Sequence, residues 1–296
     1  MSPRKRYFEG IGLRLLAVFL MTAMSAAVHG AAETAPIGQI MFWRSAVALI
    51  PICLYMVWRK EFPGTLRTRR PWLHVTRSLL GAVSMGASFL SLAYLPVANA
   101  QALAYLAPVL VLPLAALLLR ETLTSSVVIA VLLGFCGVLF LLWDAFAVPG
   151  EGAIIGVLAG LAYAFTMAFV RVHTKTMTLT ESSSSIAFYF AIVSALVGLG
   201  TLPLGWIPLD GRLFGWLMIA GLLGGVGHIV SNEAVARAPV GALAPFEFTG
   251  LIWALGFDLL IFSTVPGGVG IAGAVAITLA ALMVSFFVPP SGRSAR

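Results

Sequence analysis

A few ionisable side chains sit where lipid is expected, and they are the residues here that can do chemistry. Glu247 follows Pro245 and Phe246 inside the apolar run 240–263, and Arg44 lies inside the run 38–58. A charge at the centre of a bilayer costs from about 2.5 kcal/mol upward, so each needs a partner or a task. Glu247 reads either as a proton-linked site or as an acid that meets Arg237 or the cytoplasmic interface. Arg44 reads either as the partner of a carboxylate, on a bound small molecule or a neighbouring helix, or as a side chain snorkelling to the outer surface. His228 is a second candidate proton site; a hydrogen-bonded packing histidine is the plainer reading.

Gln101, Tyr105 and Pro108 follow at steps of four and three, which puts them on one helical face. The proline removes a backbone donor and loosens the helix one turn earlier. Gln101 and Tyr105 can hydrogen-bond a cargo or hold helices together. Asn99 suits a helix cap. Tyr94, Tyr163, Phe246 and Trp43 are candidates for an aromatic wall or belt. Glu247 and Asp258 stand eleven residues apart, about 16 Å along a helix, too far for an acid pair. Asp258 therefore reads as structural.

Other chemistries lack their residues. There is no HExxH helix for zinc and no GxSxG elbow. His29, His74, His173 and His228 are scattered, and Cys53 and Cys136 each sit in an apolar run. Neither catalytic residues, a metal nor a cofactor is expected, and an intramembrane enzyme is the remote alternative.

The elements that must position these residues follow from composition. Of 296 residues, 60% are hydrophobic and 10% charged, and mean hydropathy is +1.02. A soluble domain carries about 25% charged residues, so the class is integral membrane, all α. Ten apolar runs are long enough to span: 11–30, 38–58, 72–94, 97–119, 124–143, 152–172, 183–204, 213–235, 240–263 and 269–288. Arg4-Lys5-Arg6 before the first run imitates a signal peptide, but the run continues past Ala27 and is kept as a spanning helix.

Net charge is +7, yet no basic stretch interleaves with aromatics, and nucleic acid is rejected as a partner. Lys and Arg alternate between loops: fourteen fall on one side and one, Arg212, on the other. The first side is the cytoplasm, which places both termini there.

A small-residue pattern recurs at an offset of 143. Ser78, Gly81, Ser84, Ser88 and Ser91 map onto Gly221, Gly224, Gly227, Ser231 and Ala234, and Pro96-Val97 maps onto Pro239-Val240. Under the same offset Glu247 corresponds to Ala104. The expected organisation is a five-helix repeat over 1–145, a second over 150–290 and a cytoplasmic tail over 291–296. Five is odd, so the second repeat is inverted, and the cargo site lies near the midplane between the two. The run Gly221-Leu-Leu-Gly224-Gly225-Val-Gly227 has helix-packing spacing and is also suited to a gating bend.

Ten helices, an inverted repeat and the stretch LAYLPVANAQALAYLAPVLVLPLAALLLRETLT resemble the EamA-type branch of the drug/metabolite transporter superfamily. Tyr105-Leu106-Ala107-Pro108, Arg120-Glu121-Thr122-Leu123-Thr124 and Arg44 carry the likeness. Ser263-Thr264-Val265-Pro266 departs from it in the second copy. Amino-acid exporters, including the aromatic kind, are the nearest match in texture. The resemblance implies a bacterial inner-membrane exporter with a cavity lined by helices 1, 3, 4, 6, 8 and 9. It also implies that helices 5 and 10 serve packing or homodimer formation.

The expected function is alternating-access export of a small metabolite. Few intramembrane charges fit a neutral or zwitterionic cargo, a neutral amino acid first, and the resemblance adds the aromatic amino acids. Proton-coupled export of drugs or lipophilic metabolites, and an uncoupled facilitator, stay open.

Overall fold

A computed structural model describes residues 3–32, 34–68, 70–94, 103–119, 125–141 and 153–262, with isolated positions between 272 and 279. The described residues form helices and no strands: α1 Pro3–Ala32, α2 Ile37–Trp58, α3 Pro71–Tyr94, α4 Leu106–Leu119, α5 Ser125–Leu141, α6 Ala153–Met177, α7 Ser183–Leu199, α8 Gly211–Arg237 and α9 Thr249–Phe262. The tail 291–296 and nearly all of the run 269–288 lie outside them.

Helix ends follow local chemistry. Pro36 precedes α2. Ser182 caps α7 by accepting from the Ser185 amide at 3.1 Å. Asp210 caps α8 by accepting from the Leu213 amide at 2.7 Å. At the other end of α8 the Lys175 ammonium donates to the carbonyls of Val235 and Ala238, at 2.7 and 3.0 Å. A cation there satisfies free carbonyls and the negative end of the helix dipole.

The polarity of the bundle is reversed relative to a water-soluble protein. Leu54, Leu117, Ile154 and Leu260 are 65%, 76%, 76% and 81% exposed. Arg14, Arg44, Arg77, Ser78, Ser84, Asn232 and Glu247 are buried. An apolar exterior around a polar interior suits hydrocarbon as the solvent. Five described helices are long and apolar enough to cross a bilayer: Arg4–Ala32, Ile37–Trp58, Ile154–Met177, Ser183–Leu204 and Gly211–Arg237. Shorter apolar stretches run over Val128–Gly137 and Val240–Ala254.

The principal helix pairs are α1 with α8, α3 with α6, α2 with α7, α2 with α8, α3 with α7, α4 with α6 and α1 with α9. Glycines permit the tightest of these. A Cβ on Gly225 would stand 2.6 Å from the Ala48 carbonyl oxygen, and one on Gly198 would stand 2.5 Å from the Phe42 nitrogen. The Gly221–Gly227 run thus packs α8 against α2 and α1.

Two segments are not continuous α-helix. Leu103 and Ala104 are helical, Tyr105 leaves the helix, and α4 starts at Leu106. Pro108 has no N–H to bond the carbonyl of Ala104, which accounts for the break. The ninth segment runs Val240–Leu243 as α-helix, Ala244–Phe248 as a 3-10 turn around Pro245, and then α9.

Candidate functional site

The polar interior encloses a cavity of about 280 Å³. Its wall is built from α1, α2, α3, α6, α7 and α8, closed by Tyr105, Glu247 and the start of α9. Small and flexible side chains leave the space: Gly81, Met85 and Ser88 on α3 face Met21 and Met24 on α1.

One end carries an ion-pair cluster. Glu247 meets Arg14 of α1 directly, and the Arg171 guanidinium of α6 lies 2.7 Å from its Oε1. Arg14 Nη1 also donates to Ser231 Oγ of α8 at 2.7 Å. One carboxylate therefore ties α1, α6 and the 3-10 turn together, with α8 joined through the serine. The acid does not reach Arg237, which pairs instead with Glu233 and, at 4.0 Å, with Glu9.

Among the described residues the other cavity cations, Arg44 and Arg77, have no such counter-ion. Arg44 donates to Met24 Sδ at 3.0 Å, Met85 Sδ at 3.1 Å and His228 Nε2 at 3.1 Å. It is 5% exposed, so it does not snorkel to the surface. A guanidinium only donates, so His228 accepts at Nε2 and carries its proton on Nδ1. Arg77 lies over the Phe190 ring, 4.3 Å from its centroid, with Thr174 Oγ1 3.5 Å from its Nε. Phe190 in turn meets the His228 ring edge to face at 4.8 Å. Nearby, Asn232 Nδ2 donates to the Ser183 carbonyl and joins α8 to α7.

Of the residues expected to meet cargo, Arg44, Tyr105, Tyr163, His228 and Glu247 share this cavity. Phe246 is 2% exposed within the apolar core beside it and does not line the cavity. Gln101 lies outside the described residues, as do the side chains of Tyr94 and Pro108. Asn99 and the Asp258 side chain lie outside them as well.

Three cavity arginines were not foreseen as site residues. Arg14 and Arg77 were visible as charges within helices, and the cost of burying them was the available signal. Arg171 stands at the very end of the apolar run 152–172, where a charge reads with the adjoining loop; α6 continues to Met177 and carries it into the wall. The expectation of few intramembrane charges is thereby corrected: among the described residues four guanidiniums and one carboxylate face a single cavity.

Comparison with known proteins fits this arrangement. Residues 8–143 match the EamA-like transporter family. The pseudopaline exporter CntI of Pseudomonas aeruginosa is 28% identical over 282 residues, 94% of this chain and 96% of that protein. The S-adenosylmethionine uptake transporter of Rickettsia felis is 26% identical over 285 residues, 95% of this chain and 94% of that protein. A crystal structure superposes with a TM-score of 0.82 at 19% identity, covering 96% of this chain and 99% of the other, a likeness of fold.

Proposed function

From the premise that this chain belongs to the drug/metabolite transporter superfamily as an EamA-type transporter, we infer that it exports a small amphipathic metabolite by alternating access. It is a multi-pass protein of the bacterial inner membrane and a transporter of small metabolites, not an enzyme. The finer reading is that the cargo carries a carboxylate, within the amino acids and their derivatives, and leaves through the cavity between two inverted five-helix repeats. The domain boundaries of that reading are 1–145 and 150–290.

The observation that carries it is the placement of Glu247. Its partners Arg14 and Arg171 belong to the first helix of each proposed repeat. Breaking that cluster is the local event needed to open one end of the cavity while the rest of each bundle stays packed. The helix pairs support the repeat. Under a half-turn exchanging helices 1–5 with 6–10, α1 with α8 becomes α6 with α3, and α2 with α8 becomes α7 with α3. Likewise α4 with α6 becomes α9 with α1, and α2 with α7 becomes itself. Each of these pairs is a principal contact. The two broken segments, around Tyr105 and around Glu247, are equivalents under the same exchange and face the cavity, as interrupted helices do at transporter sites.

Purified full-length protein in liposomes tests the function. Vesicles loaded with a mixture of labelled amino acids and amino-acid derivatives should lose label faster than empty-lipid controls. Folded protein that moves none of them removes this cargo class. Arg14 and Arg171 replaced together by Gln should leave the vesicles unable to hold a gradient or to cycle.

A further inference from the structure

Taking the cavity as the cargo site, as read above, its charge says what kind of molecule fits. We propose that the cargo is net anionic, a metabolite with at least two acidic groups, one of which docks on Arg44 and Arg77.

Arg44 and Arg77 are 5% and 4% exposed. Among the described residues no carboxylate lies within ion-pair distance of either. The acceptors of Arg44 are two thioethers and a neutral imidazole, and a thioether sulfur is a weak acceptor. Arg77 has one long contact to a hydroxyl and an aromatic face, and its Nη1 has no partner. A structural arginine buried in lipid is matched by an acid, as Arg14 and Arg171 are matched by Glu247. Arg44 and Arg77 are held by neighbours that line the same cavity, Met24, Met85 and His228 at Arg44 and Phe190 at Arg77, and among the described residues neither has a counter-charge. Arg77, with Nη1 unpartnered, and Arg44, held only by weak or neutral acceptors, suit a carboxylate or another oxyanion.

The same count rules on the second acidic group. Among the described residues four guanidiniums and one carboxylate line the cavity, an excess of positive charge. A neutral amino acid would satisfy the Arg44–Arg77 pair with its carboxylate and then bring an ammonium into that positive field. Among the described residues the one cavity carboxylate, Glu247, is already held by two guanidiniums. A lipophilic cation fares worse. A cargo with further acidic groups instead reduces the excess. The geometry offers the second contact. His228, which holds Arg44, and Ser231, which holds Arg14, are three residues apart on α8, a rise of about 4.5 Å. A second acid on a cargo anchored at Arg44 therefore comes within reach of the Arg14 and Arg171 layer, in competition with Glu247.

Binding to the full-length protein in nanodiscs is the test, by calorimetry. The panel holds succinate, glutamate and N-carboxymethyl-alanine as diacids, glycerol 3-phosphate as a phosphate, leucine and phenylalanine as neutral amino acids, and tetraphenylphosphonium as a cation. At least one diacid should bind tenfold or more tightly than any neutral or cationic member, and its affinity should fall with salt. Comparing the diacids with the phosphate identifies which oxyanion the site prefers. R77Q should weaken the preferred acid at least tenfold without lowering the melting temperature, and R77K should restore part of the loss. R44Q should do the same; where it fails to fold, R77Q decides. The proposal is overturned if leucine, phenylalanine or the cation binds as well as the acids, if no acid binds, or if R77Q binds the acid unchanged. Flux separates this from the transport reading. Transport confined to neutral members sinks the anion proposal alone, and binding of an acid without flux of any member sinks the transporter reading alone.

Discussion

Tyr105 and Phe248 pack ring against ring, centroids 5.8 Å apart and planes tilted by 32°. They stand 143 positions apart, the offset at which the small-residue pattern recurs. Two copies related by a half-turn bring equivalent residues together only close to the axis. This contact therefore supports an axis passing between the broken segments of α4 and α9, beside the cavity that Ala104 and Glu247 both line.

An axis of that kind lying in the membrane plane would put both chain ends on one face, and the loop charges name that face as the cytoplasm. Reporter fusions at the two ends should both report the cytoplasm, and a reporter inserted between residues 145 and 150 should report the opposite face. Ends on opposite faces would break the relationship between the halves.

Glu247 holds two cations that otherwise repel each other at one end of the cavity. Glu247→Ala leaves both buried without a counter-ion, and removing one partner of a buried pair costs about 3–5 kcal/mol. The detergent-solubilised variant should melt well below the parent. Glu247→Gln keeps the shape and mimics the protonated acid, so its two guanidiniums are released at every pH. If proton binding at Glu247 opens the cluster, efflux by the parent changes as the pH falls and efflux by the Gln variant does not. A Gln variant with the parent's pH profile would remove Glu247 as the proton site.

Much of this was legible from the sequence. Each α-helix near 38–58, 72–94, 183–204 and 213–235 lies within a few residues of its apolar run, because lipid demands about 20 apolar residues and little else. Burial cost alone singled out Arg44 and Glu247. The convergence of Arg14, Arg77 and Arg171 was not legible. Periodicity places a residue on a face of its own helix but not on the side of a neighbour, and a polar helix end such as that of α6 extends past the apolar run that marks it. The partner of Glu247 was likewise hidden: Arg237 is ten residues away in sequence, while Arg14 and Arg171 come from distant helices.

The α2–α8 contact depends on a missing side chain. Replacing Gly225 by Val puts a Cβ 2.6 Å from the Ala48 carbonyl oxygen and against Pro51. Overpacking of this kind costs about 1–3 kcal/mol. Gly225→Val should lower the melting temperature and reduce flux together, whereas Gly215→Val, whose Cβ meets nothing within 4 Å, should change neither.

The sign of the cargo's charge sets what drives it. An inside-negative membrane potential pushes anions out of the cell, and each net charge moved is worth about 2.3 kcal/mol per 100 mV. That is about a fifty-fold change in the equilibrium concentration ratio per charge, without any coupled ion. Proteoliposomes loaded with the preferred acid and given a potassium diffusion potential, interior negative, should empty faster and further than vesicles at zero potential. Reversing the potential should retain the cargo. A proton-coupled exporter would respond to a pH gradient imposed at zero potential, and a facilitator would not. Efflux indifferent to potential, with response to pH alone, would mean that compensating protons move with the cargo, and Glu247 would be the residue to follow. Net uptake under the interior-negative potential would instead align this chain in direction with the S-adenosylmethionine transporters it resembles.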